Sequence, residues 1–157
     1  FPVETIESMA QICAEAEKTE SGELDRDFLN RTFTRIDQSI AMAALFTAYH
    51  LKVKAIAALT QSGSTALWMS RHNCGCPIFA LTPEVSSQRR MALYRNVQPL
   101  YLEQGEDRDA VLRAAEDLLV DRGQVQRGDL IVLTIGEPMG KSGGTNAIKI
   151  VRVGDHR

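Results

Sequence analysis

The sequence has no apolar run long enough to cross a membrane. A spanning helix needs about 18 residues or more, and the most apolar stretch, Ala41 to Tyr49, falls well short. The opening FPVETIESMA has no basic region ahead of an apolar one, so no secretory leader is expected there. Cysteine is scarce, with only Cys13, Cys74 and Cys76. An odd count argues against a disulfide framework and for a reducing, cytoplasmic compartment. Charge of one sign is lacking too: 18 basic and 20 acidic residues leave a net charge of -2. No basic excess is present to attract nucleic acid. Arg71-His72 and Arg89-Arg90 are read as solvated helix faces rather than basic patches. There is no H-E-x-x-H and no G-x-G-x-x-G. Gln61-Ser62-Gly63-Ser64 lacks the first glycine of a nucleophile elbow. Cys74-Gly75-Cys76 near His72 reads either as the seed of a metal site, which would need four ligands, or as a tight turn ahead of Pro77. His50 and His156 have no ligand-like spacing.

What is present fits one domain with one core. The chain has 157 residues, 44% hydrophobic and 24% charged. Because it starts at Phe1 rather than Met, it is expected to be an excised or processed piece. Apolar or small residues at Ile6, Met9, Ala10, Cys13 and Ala16 predict a helix over Val3 to Lys18. Thr19 to Arg31 is polar and reads as a loop or boundary. Further helices are expected from Asp37 to about Leu51, Ala66 to Arg71, Ser86 to Tyr94, and Asp107 to Asp121. The last has an apolar face of Val111, Ala114, Ala115, Leu118 and Leu119. Strands are expected over Lys54 to Leu59, Pro77 to Leu81, Val97 to Leu102 (weakened by Pro99), Asp129 to Ile135, and Ala147 to Val153. This alternation predicts an α/β fold: three layers, α/β/α, around a five-stranded, mostly parallel sheet. The final two strands are joined by about ten residues without a helix, too few for a parallel crossover, so the last strand should be antiparallel.

Two loops carry the most chemistry. Gly136-Glu137-Pro138-Met139-Gly140-Lys141-Ser142 resembles the nucleotide-binding pattern G-x-x-x-x-G-K-[ST] but is one residue short. A strand precedes it, yet a β-like run and not a helix follows, and no later strand supplies an acidic magnesium ligand. It therefore reads as a flexible hairpin loop or as an anion nest. In the nest, Gly140, Gly143 and Gly144 turn N–H groups toward one anion, Lys141 adds charge, and Ser142 and Thr145 add hydroxyls. Thr60-Gln61-Ser62-Gly63-Ser64-Thr65 lies between a strand and a helix. Ser62 and Ser64 are candidate N-caps, and the same groups can cradle an anion. Both loops follow strands, and ligands of open α/β sheets bind beyond the carboxyl ends of strands. A phosphorylated small molecule is the expected ligand, bound without a catalytic set in this chain.

Several segments also occur together in a recognisable order. They are Pro2-Val3-Glu4-Thr5, Thr60 to Thr65, Pro77-Ile78-Phe79-Ala80-Leu81-Thr82, Leu93-Tyr94-Arg95-Asn96-Val97, Gln126-Arg127-Gly128-Asp129, and Ser142-Gly143-Gly144-Thr145-Asn146. Across nearly the whole chain this set resembles the C-terminal domain of pyruvate kinase. The resemblance implies an enzyme that converts phosphoenolpyruvate and ADP to pyruvate and ATP. The magnesium and potassium sites would lie in a catalytic barrel preceding this region, with no cofactor in the region itself. Residues 1–18 would be the end of the barrel part and a joining helix, and residues 19–157 the C-terminal regulatory domain, which also contributes to a homotetramer. The family's effector loop, T-K-S-G-x-[ST], falls on Thr60, Gln61, Ser62, Gly63, Ser64 and Thr65, and its second loop on Gly140, Lys141, Ser142, Gly143 and Gly144. Gln61 stands where bisphosphate-activated members have lysine. The helix start at Asp107 to Leu112 has no tryptophan, and Val111 stands about where an arginine grips a second phosphate. These departures favour the bacterial type activated by AMP or sugar monophosphates, with Lys141 supplying charge. The alternative is a freestanding phosphate-ligand module.

Overall fold

The computed structural model describes residues 1–19 and 30–155. Most of the boundary expected over Thr19 to Arg31, and the end at His156-Arg157, lie outside the described residues. Among the described residues, five helices and five strands follow one another in the expected order. They are α1 (Pro2–Thr19), α2 (Ile36–Leu51), β1 (Ala55–Leu59), α3 (Ser64–Ser70), β2 (Ile78–Thr82), α4 (Val85–Met91), β3 (Val97–Tyr101), α5 (Arg108–Asp121), β4 (Leu130–Gly136) and β5 (Thr145–Arg152).

The strands form one sheet in the order β3-β2-β1-β4-β5. β1 pairs in parallel with both β2 and β4, and β2 in parallel with β3. β5 runs antiparallel to β4, as its short connection requires. β3 tolerates Pro99 because it is an edge strand, where a missing N–H need break no ladder bond.

Side-chain parity builds the two outer layers. Ile56, Ala58, Ile78, Ala80 and Val132 face α2, α3 and α4, packing with Ala41, Leu45, Ala48, Met69 and Met91. The alternate residues Ala57, Leu59, Phe79, Leu81, Ile131 and Leu133 face α5, packing with Val111, Leu112, Ala115 and Leu119. β1, β2 and β4 are buried on both faces, which is why their sequences read as short apolar runs without alternation, whereas the edge strand β3 is only partly covered.

Several details differ from the sequence-based expectation, among them the end of α4, at Met91 rather than Tyr94, and the start of β5, at Thr145 rather than Ala147. The α5 face is rotated: Leu112 and Glu116 are buried with Val111, Ala115 and Leu119, while Ala114 and Leu118 are only half-buried. Glu116 is accommodated by accepting a hydrogen bond from the Gly154 N–H at 3.4 Å. The apolar face of α1 forms but is not covered, with Ile6 64%, Met9 57% and Ile12 69% exposed. Likewise, α3 begins at Ser64 rather than Ala66.

Thr134 on β4 is fully buried, and its hydroxyl has no hydrogen-bond partner among the described residues. An unmet buried hydroxyl costs about 1–3 kcal/mol. Thr134→Val should therefore raise the urea midpoint, by about 1 kcal/mol of stability. A lower midpoint would show that the hydroxyl is satisfied in solution.

Candidate functional site

Strand order turns at β1. The chain steps outward through β2 and β3, then returns to place β4 on the other side of β1. The carboxyl ends of β1 and β4 therefore diverge at the switch point of the sheet, where open α/β folds leave a crevice. The two loops singled out by sequence leave from these two ends, residues 60–63 from β1 and residues 137–144 from β4. Because β1 and β4 are parallel, with Leu133 beside Ala57, both loops lie on one edge.

The first loop is held by its own hydroxyls. Gly63 N–H donates to Thr60 Oγ1 at 2.9 Å. Gly63 has φ +81° and is the residue preceding α3, so Gly63, and not Ser62 or Ser64, occupies the N-cap, without a side-chain cap. The left-handed backbone required here explains the substitution of the cap role. Ser62 Oγ accepts from Ser64 N–H at 3.4 Å and lies 3.3 Å from Ser64 Oγ. Ser64 Oγ donates to Asp37 Oδ2 at 3.2 Å. Gln61 Nε2 donates to Gln104 Oε1 at 3.0 Å, and Gln104 in turn donates to Leu81 O at 3.0 Å.

The second loop is an exposed hairpin. Asn146 closes its base, accepting from Glu137 N–H at 3.0 Å and donating to Glu137 O at 2.7 Å. Gly144 N–H donates to Lys141 O at 3.2 Å, and Gly140 and Gly143 have φ of +79° and +68°. Lys141, Ser142 and Gly143 are exposed. The loops are tied together beneath the crevice, where the buried Thr65 Oγ1 donates to Thr145 Oγ1 at 2.7 Å.

Between them lies a small cleft of about 20 Å³, lined by Thr60, Gln61, Gln104, Met139, Lys141 and Gly143 among others. That is room for about one water. Thr60, Gln61, Gly140, Lys141 and Gly143 thus share one lining. Ser64 turns to the side, toward Asp37, and Ser62 bonds to Ser64. Thr65 lies underneath, and Ser142 and Gly144 sit on the outer hairpin.

Sequence reading missed the charged pair beside this loop. Asp37 is 2% exposed, yet it accepts from Arg35 Nε at 2.9 Å and Nη2 at 2.7 Å, and from Gln38 N–H at 2.9 Å. Burial alone would raise its pKa. The bonds and charge of Arg35, helped by Ser64, outweigh burial and hold the carboxyl below its ordinary range. The Arg35 guanidinium also reaches the second loop, 3.8 Å from where a Gly143 Cβ would stand. The one signal for this pair was an Arg-x-Asp step at the head of α2, where an acidic residue is ordinary for helix starts. Gln104 had no signal, since it lies in the turn after β3 and reaches the site only through the fold.

The chain is an α/β domain with a crevice at the switch point of its mixed sheet, edged by two glycine- and hydroxyl-rich loops. The family described as "Pyruvate kinase, alpha/beta domain" matches residues 38–151. The chain belongs to the pyruvate kinase family. It is 41% identical over 154 residues to a pyruvate kinase of Buchnera aphidicola subsp. Schizaphis graminum, covering 98% of this chain and 32% of that protein. It is 38% identical over 154 residues to pyruvate kinase II of Salmonella typhimurium, with the same two coverages, 98% and 32%. A Staphylococcus aureus pyruvate kinase is 36% identical over 156 residues, 99% of this chain and 27% of that protein. The chain therefore spans about a third of the length of the curated relatives it matches.

Proposed function

We propose that this chain is the C-terminal regulatory domain of a cytoplasmic pyruvate kinase, covering residues 19–157, with residues 1–18 joining it to a preceding catalytic barrel. The barrel would carry phosphoryl transfer from phosphoenolpyruvate to ADP, with the magnesium and potassium ions that chemistry uses. This chain would contribute no cofactor and no catalytic residue. The uncovered Ile6, Met9 and Ile12 on α1 support a neighbour there, either the barrel of the same chain or a subunit of a homotetramer.

The single observation that carries the regulatory reading is the pairing of the two loops at the β1/β4 switch point in a chain of this family. The effector would be a sugar monophosphate or AMP. Its phosphate would approach the mouth formed by Thr60, Gln61, Ser62, Gly63, Ser64 and Thr65 on one side and Gly140, Lys141, Ser142, Gly143 and Gly144 on the other. The cleft as it stands holds about one water, so the exposed 137–144 hairpin must lift to admit a sugar. A neutral Gln61 and an apolar Val111 favour one phosphate over two, because charge-assisted bonds are roughly twice as strong as neutral ones. Effector and phosphoenolpyruvate would then be linked reciprocally, with a coupling of about 1–3 kcal/mol.

The test is calorimetric titration of the intact protein with ribose 5-phosphate, glucose 6-phosphate, AMP and fructose 1,6-bisphosphate. Ser62→Asp adds an anion to the loop mouth itself, beside Ser64. A monophosphate should bind, and Ser62→Asp should weaken it by more than about tenfold, the effect of about 1.4 kcal/mol of added repulsion. Equal binding by Ser62→Asp, or no binding by any of the four, would overturn this site.

A further inference from the structure

We propose that Cys74 and Cys76 form a thiol modification site, a dithiol that a hydroperoxide converts to an intrachain disulfide. The pair lies in the turn ahead of β2, at the amino ends of the strands and so on the opposite edge from the effector loops. The two sulfurs are 3.4 Å apart. A disulfide bond is about 2.05 Å long, so bonding requires a closure of little more than an ångström. Gly75, between them, has φ +74° and open space around the position of a Cβ, so the turn can tighten without meeting a neighbour. Asn96 Nδ2 donates to Cys76 O at 2.7 Å and fixes the far side of the turn.

Access and reactivity are both provided. Cys74 is 5% and Cys76 7% exposed, which keeps out bulky reagents. Gly75 and Cys76 nevertheless line an open cleft of about 620 Å³, together with Lys52, Lys54 and Asp129; a small peroxide entering it meets Cys76 first, with the Cys74 sulfur 3.4 Å behind. The hydrogen bond between the two thiols, in which either can donate, lowers the Cys74 pKa to about 7 against the effect of burial. The same bond, with burial, pushes Cys76 up. One sulfur is thus the nucleophile and the other holds the proton, the asymmetry that thiol oxidation uses. Among the described residues no group of three or more His, Cys, Asp or Glu stands close enough to hold a metal ion, so the pair has no third ligand.

The step balances as follows. The Cys74 thiolate attacks one oxygen of hydrogen peroxide. The O–O bond breaks, and the departing oxygen takes up the proton lost from Cys74 and leaves as water. Cys74 is now a sulfenic acid. The Cys76 sulfur attacks the Cys74 sulfur, and the sulfenic hydroxyl leaves as water with the Cys76 proton. Two thiols and one peroxide give one disulfide and two waters, with two electrons passing from sulfur to oxygen. A disulfide spanning a single residue is strained, and strained disulfides are the readily reduced ones.

The intact folded protein is treated with hydrogen peroxide and then unfolded in denaturant, where its remaining thiols are alkylated (and sulfenic acid trapped), and the peptide holding Cys74 and Cys76 is weighed. The exposed Cys13 serves as an internal reference. The expected product is that peptide lighter by two hydrogens, closed to alkylation, reopened by dithiothreitol, and formed before Cys13 reacts. In Cys76→Ser, Cys74 should instead give a sulfenic acid trapped by dimedone. Oxidation of Cys13 first, full alkylation of both thiols after peroxide, or a sulfinic product on the wild-type pair would each overturn the proposal. The wild-type reading stands even if the variant fails to fold.

Discussion

Gly63→Val should destabilise the domain by about 3 kcal/mol, measured by urea unfolding. Two costs add. The backbone at Gly63 has φ +81°, and left-handed backbone costs an L-residue about 1–2 kcal/mol. The new Cβ would also stand 2.8 Å from Met91 Cγ and 2.9 Å from Met91 Sδ. Met91 is fully buried and cannot swing into solvent, so the core must distort, at about 1–3 kcal/mol for overpacking. Gly140→Ala separates the terms. Gly140 has a similar φ of +79° but nothing within 4 Å of its Cβ, so only the backbone cost of about 1–2 kcal/mol applies. Equal losses for Gly63→Ala and Gly140→Ala would show that the Met91 contact is relieved cheaply.

The functional consequence of Gly63→Val is the larger one. The Gly63 N–H closes the loop onto Thr60 Oγ1, and displacing it moves the loop mouth where an effector phosphate is proposed to sit. Effector response should be lost while substrate turnover without effector persists. Turnover and response failing together would place Gly63 in the general stability of the enzyme only.

Physical reasons decide what the sequence could and could not disclose here. β1, β2 and β4 were legible because each is a short apolar run bounded by turn residues, as strands buried on both faces must be. The antiparallel β5 was legible because its connection is too short for a crossover. The strand order was not written in any local pattern. That β4 sits beside β1 follows from packing of the whole chain, and it is what brings residues 60–63 and 137–144 to adjacent strand ends. The α5 face was misphased because Glu116 looked like a solvent residue. Its carboxylate instead accepts from Gly154 N–H, a partner supplied by distant sequence. Ser62 and Ser64 looked like caps because serine commonly fills that role, but Gly63 alone fits the left-handed backbone and the contact with Met91. Asp37 looked like an ordinary acidic residue of a helix start, and only the fold shows it nearly sealed between Arg35 and Ser64.

That seal carries a pH signature. Asp37→Asn should cost about 1–2 kcal/mol at pH 7, because it removes the buried acceptor of bonds from Arg35, Ser64 and the Gln38 N–H and turns an amide donor toward a half-exposed guanidinium that only donates. The folded protein holds the Asp37 carboxyl below its ordinary range, whereas in the unfolded chain it titrates near 3.9. A depressed folded pKa gives stability that is present above the unfolded value. It is lost as pH falls through the folded value. The gap between wild type and Asp37→Asn should therefore stay constant from pH 7 to about 5 and close progressively below about 4. Urea midpoints across this range, with Arg35→Gln alongside, measure it. Arg35→Gln leaves the carboxylate buried with only Ser64 and the Gln38 N–H, so its loss should also shrink on acidification as the carboxyl is neutralised. A gap that persists unchanged at pH 3 would mean that Asp37 acts through shape and not through charge.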